Sequence, residues 1–262
     1  MTNLTTKHLA SQIRKNILGA IYCSKASHVA SALSICDILA VLYGEKLVNP
    51  KKHQFLLSKG HAGIAVYSTL AALGVINQEL FSTYYCNGSS LGGHVSHKNV
   101  PGVSLSTGSL GGGIAVANGI ALANQIDMIN DKIFVIVGDG ECNEGSIWES
   151  VLYAGAKNLK NLIVIIDRNK LQGCGDTESI VPTKDLAKKF ASFNWKTVVV
   201  DGHNHEQLLQ AFLIESGGPL CVVANTIKGK GISFMENNNL WHYRNVNDET
   251  YAQALQEMCG VL

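Results

Sequence analysis

Two five-residue runs built only of apolar residues, Ile133-Phe-Val-Ile-Val137 and Leu162-Ile-Val-Ile-Ile166, constrain this chain more than any other feature. A strand with one wet face alternates apolar and polar side chains. A strand with no polar position is covered on both faces, the condition of a parallel sheet inside an α/β protein. The stretch between the two runs, about 145–157, has helical spacing, so the unit reads as strand-helix-strand. Lys196-Thr-Val-Val-Val200 and Leu220-Cys-Val-Val-Ala224 extend the sheet, and Gln54-Phe-Leu-Leu-Ser58 adds a short strand. The expected fold is α/β, a three-layer α/β/α sandwich with a mainly parallel sheet, in one domain over residues 1–262.

Apolar residues at helical spacing (Leu4, Leu9, Ile13, Ile17, then Leu33, Ile35, Ile38, Leu39, Leu42) predict two amphipathic helices in the first 45 residues, separated by a turn at Ser24–His28. Further helices are expected at about 62–73 and 77–86, from Gly113, and over Thr250–Met258. The glycine- and histidine-rich segment from Gly88 to Gly108 is too long for a plain connection, and loops of that kind carry function. A formal net charge of +1 provides no field to steer a polyanion, so nucleic acid is not an expected partner. No apolar run approaches the roughly 20 residues that cross a bilayer. The start Met1–His8 lacks the basic-then-apolar pattern of a signal peptide, so a cytoplasmic protein without membrane association is expected. Seven cysteines (Cys23, Cys36, Cys86, Cys142, Cys174, Cys221, Cys259), odd in number and without a C-x-x-C pair, are expected as reduced thiols.

Ligands of open parallel sheets sit beyond the carboxyl ends of the strands. Asp139 falls there, between Gly138 and Gly140, and Asn169 falls at the end of the neighbouring strand, separated from Gly140 by 28 residues. A strand-terminal Asp-Gly is also a common turn, and taken alone the tripeptide fits either use. Magnesium takes few oxygen ligands from protein and completes its octahedron with phosphate and water. One carboxylate, one carboxamide oxygen and one backbone carbonyl meet that demand. Glu141 and Glu144 lie near a helix start, where favourable charge-dipole placement is an alternative to ligand binding.

Gly138-Asp-Gly-Glu-Cys-Asn-Glu-Gly-Ser-Ile-Trp-Glu149 followed by Asn161-Leu-Ile-Val-Ile-Ile-Asp-Arg-Asn169 resembles the thiamine diphosphate motif of transketolases. Ser58-Lys-Gly-His61, Gly92-Gly-His94 and Pro101-Gly-Val-Ser-Leu-Ser-Thr-Gly-Ser-Leu-Gly-Gly-Gly113 resemble further segments of the transketolase N-terminal domain, in the same order and spacing. The resemblance covers nearly the whole chain. It implies the thiamine diphosphate-binding fold, with thiamine diphosphate and Mg2+ (or Ca2+ or Mn2+) as cofactors. Asp139, Asn169 and the Leu171 carbonyl would be metal ligands. His61, Ser109, Leu110, Gly138, Gly140 and Glu144 would border the cofactor, Gly140 by its N–H and Leu110 near the thiazolium, with ordinary core packing the alternative for Leu110. His28, His61, His94 and His242 match the histidines with which this family binds sugar hydroxyls and moves protons. His97, His203 and His205 match nothing and are expected as solvated loop histidines. The family's usual Leu-Gly-Gln-Gly is Leu110-Gly-Gly-Gly113 here.

In this family a glutamate from another domain hydrogen-bonds the aminopyrimidine ring of the cofactor, and no segment of this chain resembles that domain. The resemblance therefore implies the N-terminal subunit of a split transketolase. Its partner would be a C-terminal subunit carrying the pyrimidine-binding and C-terminal domains, in an α2β2 assembly acting on sugar phosphates. The rival expectations are a split enzyme of specialised sugar or secondary metabolism, the alpha chain of a 2-oxoacid dehydrogenase, a deoxyxylulose-phosphate-synthase-like enzyme, and a non-catalytic protein that kept the fold. Ser58-Lys-Gly-His61 favours a transketolase over the dehydrogenase chain, and the short length disfavours the synthase. Retention of both Asp139 and Asn169 argues against a non-catalytic protein.

Overall fold

A computed structural model of the chain describes residues 5–259. Five strands, β1 (Phe55–Leu57), β2 (Ile133–Gly138), β3 (Leu162–Arg168), β4 (Lys196–Asp201) and β5 (Leu220–Asn225), form one sheet in the order β1-β2-β3-β5-β4. Every neighbouring pair is parallel. The helices are α1 (Thr6–Ser24), α2 (Val29–Leu33), α3 (Cys36–Gly44), α4 (Gly63–Ala72), α5 (Gln78–Ser82), α6 (Gly112–Ile126), α7 (Gly145–Ala156), α8 (Thr177–Ile180), α9 (Leu186–Ala191), α10 (His205–Phe212) and α11 (Asp248–Cys259).

The apolar strands have two dry faces because each face meets a different layer of helices. Phe134, Ile136, Ile163, Ile165 and Val222 pack with the buried side chains of α1 to α4 and α10. Their alternates Ile133, Val135, Val137, Leu162, Val164, Ile166 and Val223 pack with those of α6, α7 and α9. The period-2 geometry of a strand splits one continuous apolar run between two cores. Edge strand β4 is the exception, with Val199 55% exposed. Among the described residues no helix is long and apolar enough to cross a membrane. The six described cysteine side chains are all free thiols, and Cys259's lies outside the described residues.

Two local expectations need correction. The second expected helix is broken into α2 and α3 at Ser34 and Ile35. Ser34 points inward, where its hydroxyl donates to Ser31 O at 2.9 Å and to Asp167 Oδ2 at 2.7 Å, a tertiary bond that apolar spacing does not register. His203 and His205 are not solvated, since their side chains are each 13% exposed and converge on Asp37 of α3. His203 Nε2 accepts from the Ile227 N–H, so its Nδ1 carries the proton and donates to Asp37 Oδ2 at 2.7 Å. His205 Nε2 lies 3.0 Å from Asp37 Oδ1, and Arg14 of α1 grips both oxygens with Nη1 and Nη2. Burial pushes this carboxyl up, but the bonds from His203 and His205 and the Arg14 charge win and hold it well below the usual range. Arg14 Nε also donates to Lys230 O, so the clamp fixes the segment that follows β5.

Candidate cofactor and active site

The carboxyl ends of β2 and β3 place the expected metal ligands side by side. Gly138 pairs in register with Asp167, which puts Asp139 beyond the end of β2 and Asn169 beyond the end of β3. Asp139 is 3% exposed. Its Oδ1 accepts from Gly140 N at 2.8 Å and its Oδ2 from Lys170 N at 2.7 Å, and among the described residues it joins no ion pair. Burial and the neighbouring Asp167 charge push its carboxyl up to about 6. Asn169, 6% exposed, turns its Nδ2 to Asp167 and its Oδ1 to the Leu171 N–H at 3.0 Å, leaving a lone pair on that oxygen.

Gly140 is required by a close approach, because a Cβ there would stand 2.6 Å from Gln172 Cγ. Gln172 Nε2 is itself buried without a hydrogen-bond partner. A buried carboxylate facing only N–H groups, a free carboxamide lone pair and an unpartnered amide donor fit a hard divalent cation carrying phosphate oxygens. Among the described residues no cluster of three or more His, Cys, Asp or Glu could hold a metal by itself.

Glu141 is buried, beyond what charge-dipole placement requires. It accepts from Ser58 Oγ at 2.5 Å, Gly111 N at 2.8 Å and Gly138 N at 3.0 Å, tying β1, the start of α6 and the end of β2 together. Burial pushes its carboxyl up. Glu144 is exposed at the start of α7 and makes no side-chain capping bond. Ser109 and Leu110 are exposed, with Leu110 at 36%, so Leu110 is not a core residue. Gly112 meets no other atom within 4 Å of a Cβ position, so the position where the family usually has glutamine faces open space.

The four expected histidines come together. The His28 ring lies 5.4 Å from that of His61, 5.9 Å from that of His94 and 4.8 Å from that of His242, between centroids. His28 reaches this place through a left-handed backbone, φ 70, and donates its N–H to His242 O at 2.8 Å. The long Gly88–Gly108 loop wraps this wall, with Val95 N donating to Gly60 O and Gly108 against the His94 ring. Burial, together with the Lys228 and Lys59 charges and neighbouring imidazoles, lowers His28 to about 4 and His242 to about 3, and pushes His61 well below its ordinary value. These three imidazoles are neutral at pH 7, and each offers one donor and one acceptor. His97 is exposed and bonds Ser106, away from the cluster.

Two lysines escaped the sequence reading. Lys59, 1% exposed, donates to Asp167 Oδ2 at 2.5 Å and to Ser31 O at 3.1 Å. Lys228, also 1% exposed, donates to the carbonyls of Leu171 and Gln172 and to Asn239 Oδ1 at 3.1–3.3 Å, and burial pushes it down to about 8. It joins the segment carrying the expected metal-ligand carbonyl to the segment carrying His242. A signal existed, since Lys59 directly follows a buried strand and a buried lysine must find an acid.

Comparison with known proteins gives the family. Residues 5–260 match the family model of the transketolase thiamine diphosphate-binding domain. The chain is 38% identical to the SqwG subunit of a 6-deoxy-6-sulfo-D-fructose transketolase from a Clostridium species, over 96% of this chain and 95% of that one. It is 35% identical to one subunit of an apulose-4-phosphate transketolase from Phocaeicola vulgatus, over 94% and 90%. Mouse transketolase is 32% identical over 96% of this chain, which spans only 42% of that protein's length. A Pichia stipitis transketolase in complex with sedoheptulose 7-phosphate superposes with a TM-score of 0.89 at 26% identity, over 98% of this chain and 41% of that one. The chain belongs to the transketolase family, as its thiamine diphosphate-binding N-terminal part, and is similar over its whole length to single subunits of divided transketolases.

Proposed function

We propose that the chain is the diphosphate-side subunit, one domain over 1–262, of a two-component transketolase that moves a two-carbon ketol unit from a ketose phosphate to an aldose phosphate. Asp139, Asn169 Oδ1 and Leu171 O would hold Mg2+, or Ca2+ or Mn2+ in its place. Gly138, Gly140, Ser109, Glu144 and His61 would border thiamine diphosphate, and Leu110 would cover its thiazolium. The single observation that carries this reading is Asp139, a buried carboxylate at the carboxyl end of β2 met only by N–H groups.

Thiamine diphosphate supplies a nucleophilic carbanion and an electron sink for breaking the bond beside a ketose carbonyl. The protein binds, orients and transfers protons. His28, His61, His94 and His242 would grip sugar hydroxyls, and the neutral rings of His28, His61 and His242 accept a proton at one nitrogen while donating from the other. Lys228 places a cation beside Leu171 and Gln172, where a diphosphate brings negative charge. The catalytic glutamate and the sugar phosphate-binding groups would come from a C-terminal partner subunit, in an α2β2 heterotetramer of the cytoplasm. The names of the 38% and 35% identical relatives favour a specialised sugar over the pentose phosphates.

The test is thermal stabilisation by thiamine diphosphate with Mg2+, with and without the product of the neighbouring gene. A shift that is largest for the pair and absent from Asp139→Ala is expected. No shift in either mixture overturns the cofactor reading. Transfer from xylulose 5-phosphate to ribose 5-phosphate, or from a modified ketose, is expected of the pair alone, and turnover by this chain unaided overturns the division of the site.

A further inference from the structure

Asn169 has a carboxamide that fits its cavity in two orientations, and only one turns oxygen toward the cation. We propose that Asp167, held by Lys59, is the positioning residue that fixes this orientation. The inference rests on the metal-bridged reading above.

Asp167 is wholly buried and accepts four hydrogen bonds. Ser34 Oγ at 2.7 Å, Lys59 Nζ at 2.5 Å and Asn169 Nδ2 at 2.9 Å meet Oδ2, and Thr226 Oγ1 meets Oδ1. The carboxylate only accepts and the Leu171 N–H only donates, so the two fix which end of the Asn169 amide is nitrogen. A flipped amide would set oxygen against Asp167 Oδ2 and NH2 against the Leu171 N–H. Both bonds would be lost and like groups would meet. Lys59 balances the buried charge and is anchored in turn on Ser31 O, so donors from the α2–α3 break and from just after β1, β3 and β5 converge on one carboxylate.

A purely structural ion pair would not act on the cation. Lys59→Met with Asp167→Leu removes both charges, and it also leaves the Ser34, Asn169 and Thr226 donors without their acceptor, so some loss of stability comes with it. Mn2+ affinity is read by electron paramagnetic resonance on the full chain with excess thiamine diphosphate, beside melting temperature. The double variant is expected to melt lower than the wild type and, at a temperature where it remains folded, to lose about 10–100-fold in Mn2+ affinity, the range for outer-shell partners. Lys59→Met with Asp167→Asn should recover most of that loss, because Asn169 Nδ2 still finds an acceptor oxygen while hydroxyls can turn to suit. Wild-type affinity in the first double variant overturns the proposal. Should that variant not fold, the wild-type protein decides by side-chain amide exchange at Asn169, assigned from Asn169→Ala. Protected NH2 protons are expected, and freely exchanging ones overturn the proposal. If Asn169→Ala itself binds Mn2+ normally, the metal reading falls, an outcome distinct from failure of the positioning step alone.

Discussion

Asp37 and Asp139 are both buried acids near the carboxyl edge of the sheet, and the protein treats them in opposite ways. Asp37 has a guanidinium on both oxygens and an imidazole on each, and lies well below the usual carboxylate range. Asp139 has two backbone N–H groups and is pushed up to about 6. The first is a finished structural joint between α1, α3 and the segments after β4 and β5. In the second, the two N–H bonds and the Lys59 charge offset only part of the cost of burial beside Asp167, which is the mark of a group shaped for a ligand.

The same substitution at the two sites should therefore do opposite things. Asp37→Asn leaves Arg14 buried with its charge partner removed and is expected to cost about 3–5 kcal/mol of stability in chemical denaturation. An unchanged midpoint would dissolve the contrast. Asp139→Asn should hold or raise the melting temperature, yet lose more Mg2+-dependent thiamine diphosphate binding than the roughly 10–100-fold seen for outer-shell changes, measured by calorimetry.

Acidity sharpens the difference further. An acid raised from 3.8 to about 6 binds its proton more tightly folded than unfolded, so it adds stability below about pH 4 and withdraws it as pH rises through 6. His28 and His242, lowered from 6.5 to about 4 and about 3, act the other way and withdraw stability as pH falls below 6.5. In the metal-free wild type these trends oppose one another between pH 6.5 and 4. Asp139→Asn should unmask the histidines, giving a steeper loss of melting temperature on acidification than the wild type shows. Metal affinity of the wild type should weaken as pH drops through about 6, because the cation needs the ionised carboxylate. The smallest effect is expected at Gly112→Gln, which restores the family's usual residue in open space and should leave stability within about 0.5 kcal/mol, since it removes a helical glycine at a helix end. Any change then appears in sugar preference, read from KM values of the reconstituted pair.

The sheet was legible because five apolar runs left little choice of partner, and each lies within two residues of the observed strand ends. That Asp139 and Asn169 lie beyond neighbouring strand ends was legible from the apolar runs before them, whereas the four histidines were named only through the transketolase resemblance, and no local pattern says that they meet. What escaped was long-range polar pairing. Nothing local says that Lys59 meets Asp167, or that His203 and His205 meet Asp37, because those bonds depend on which strands become neighbours. The break at Ser34 escaped for the same reason, as its hydroxyl answers to Asp167 and not to its own helix.

The bond from the His28 N–H to His242 O joins positions separated by most of the chain. A ribosome must therefore release the chain at least as far as His242 before these two histidine segments can meet. Strands β1 to β3 can already have paired by then, since their contacts span shorter loops that are entropically easier to shut. The histidine cluster thus closes after the sheet strands can pair, and a truncation that spares the whole sheet but removes the segment after β5 should leave His28 without its backbone partner and the cluster without His242.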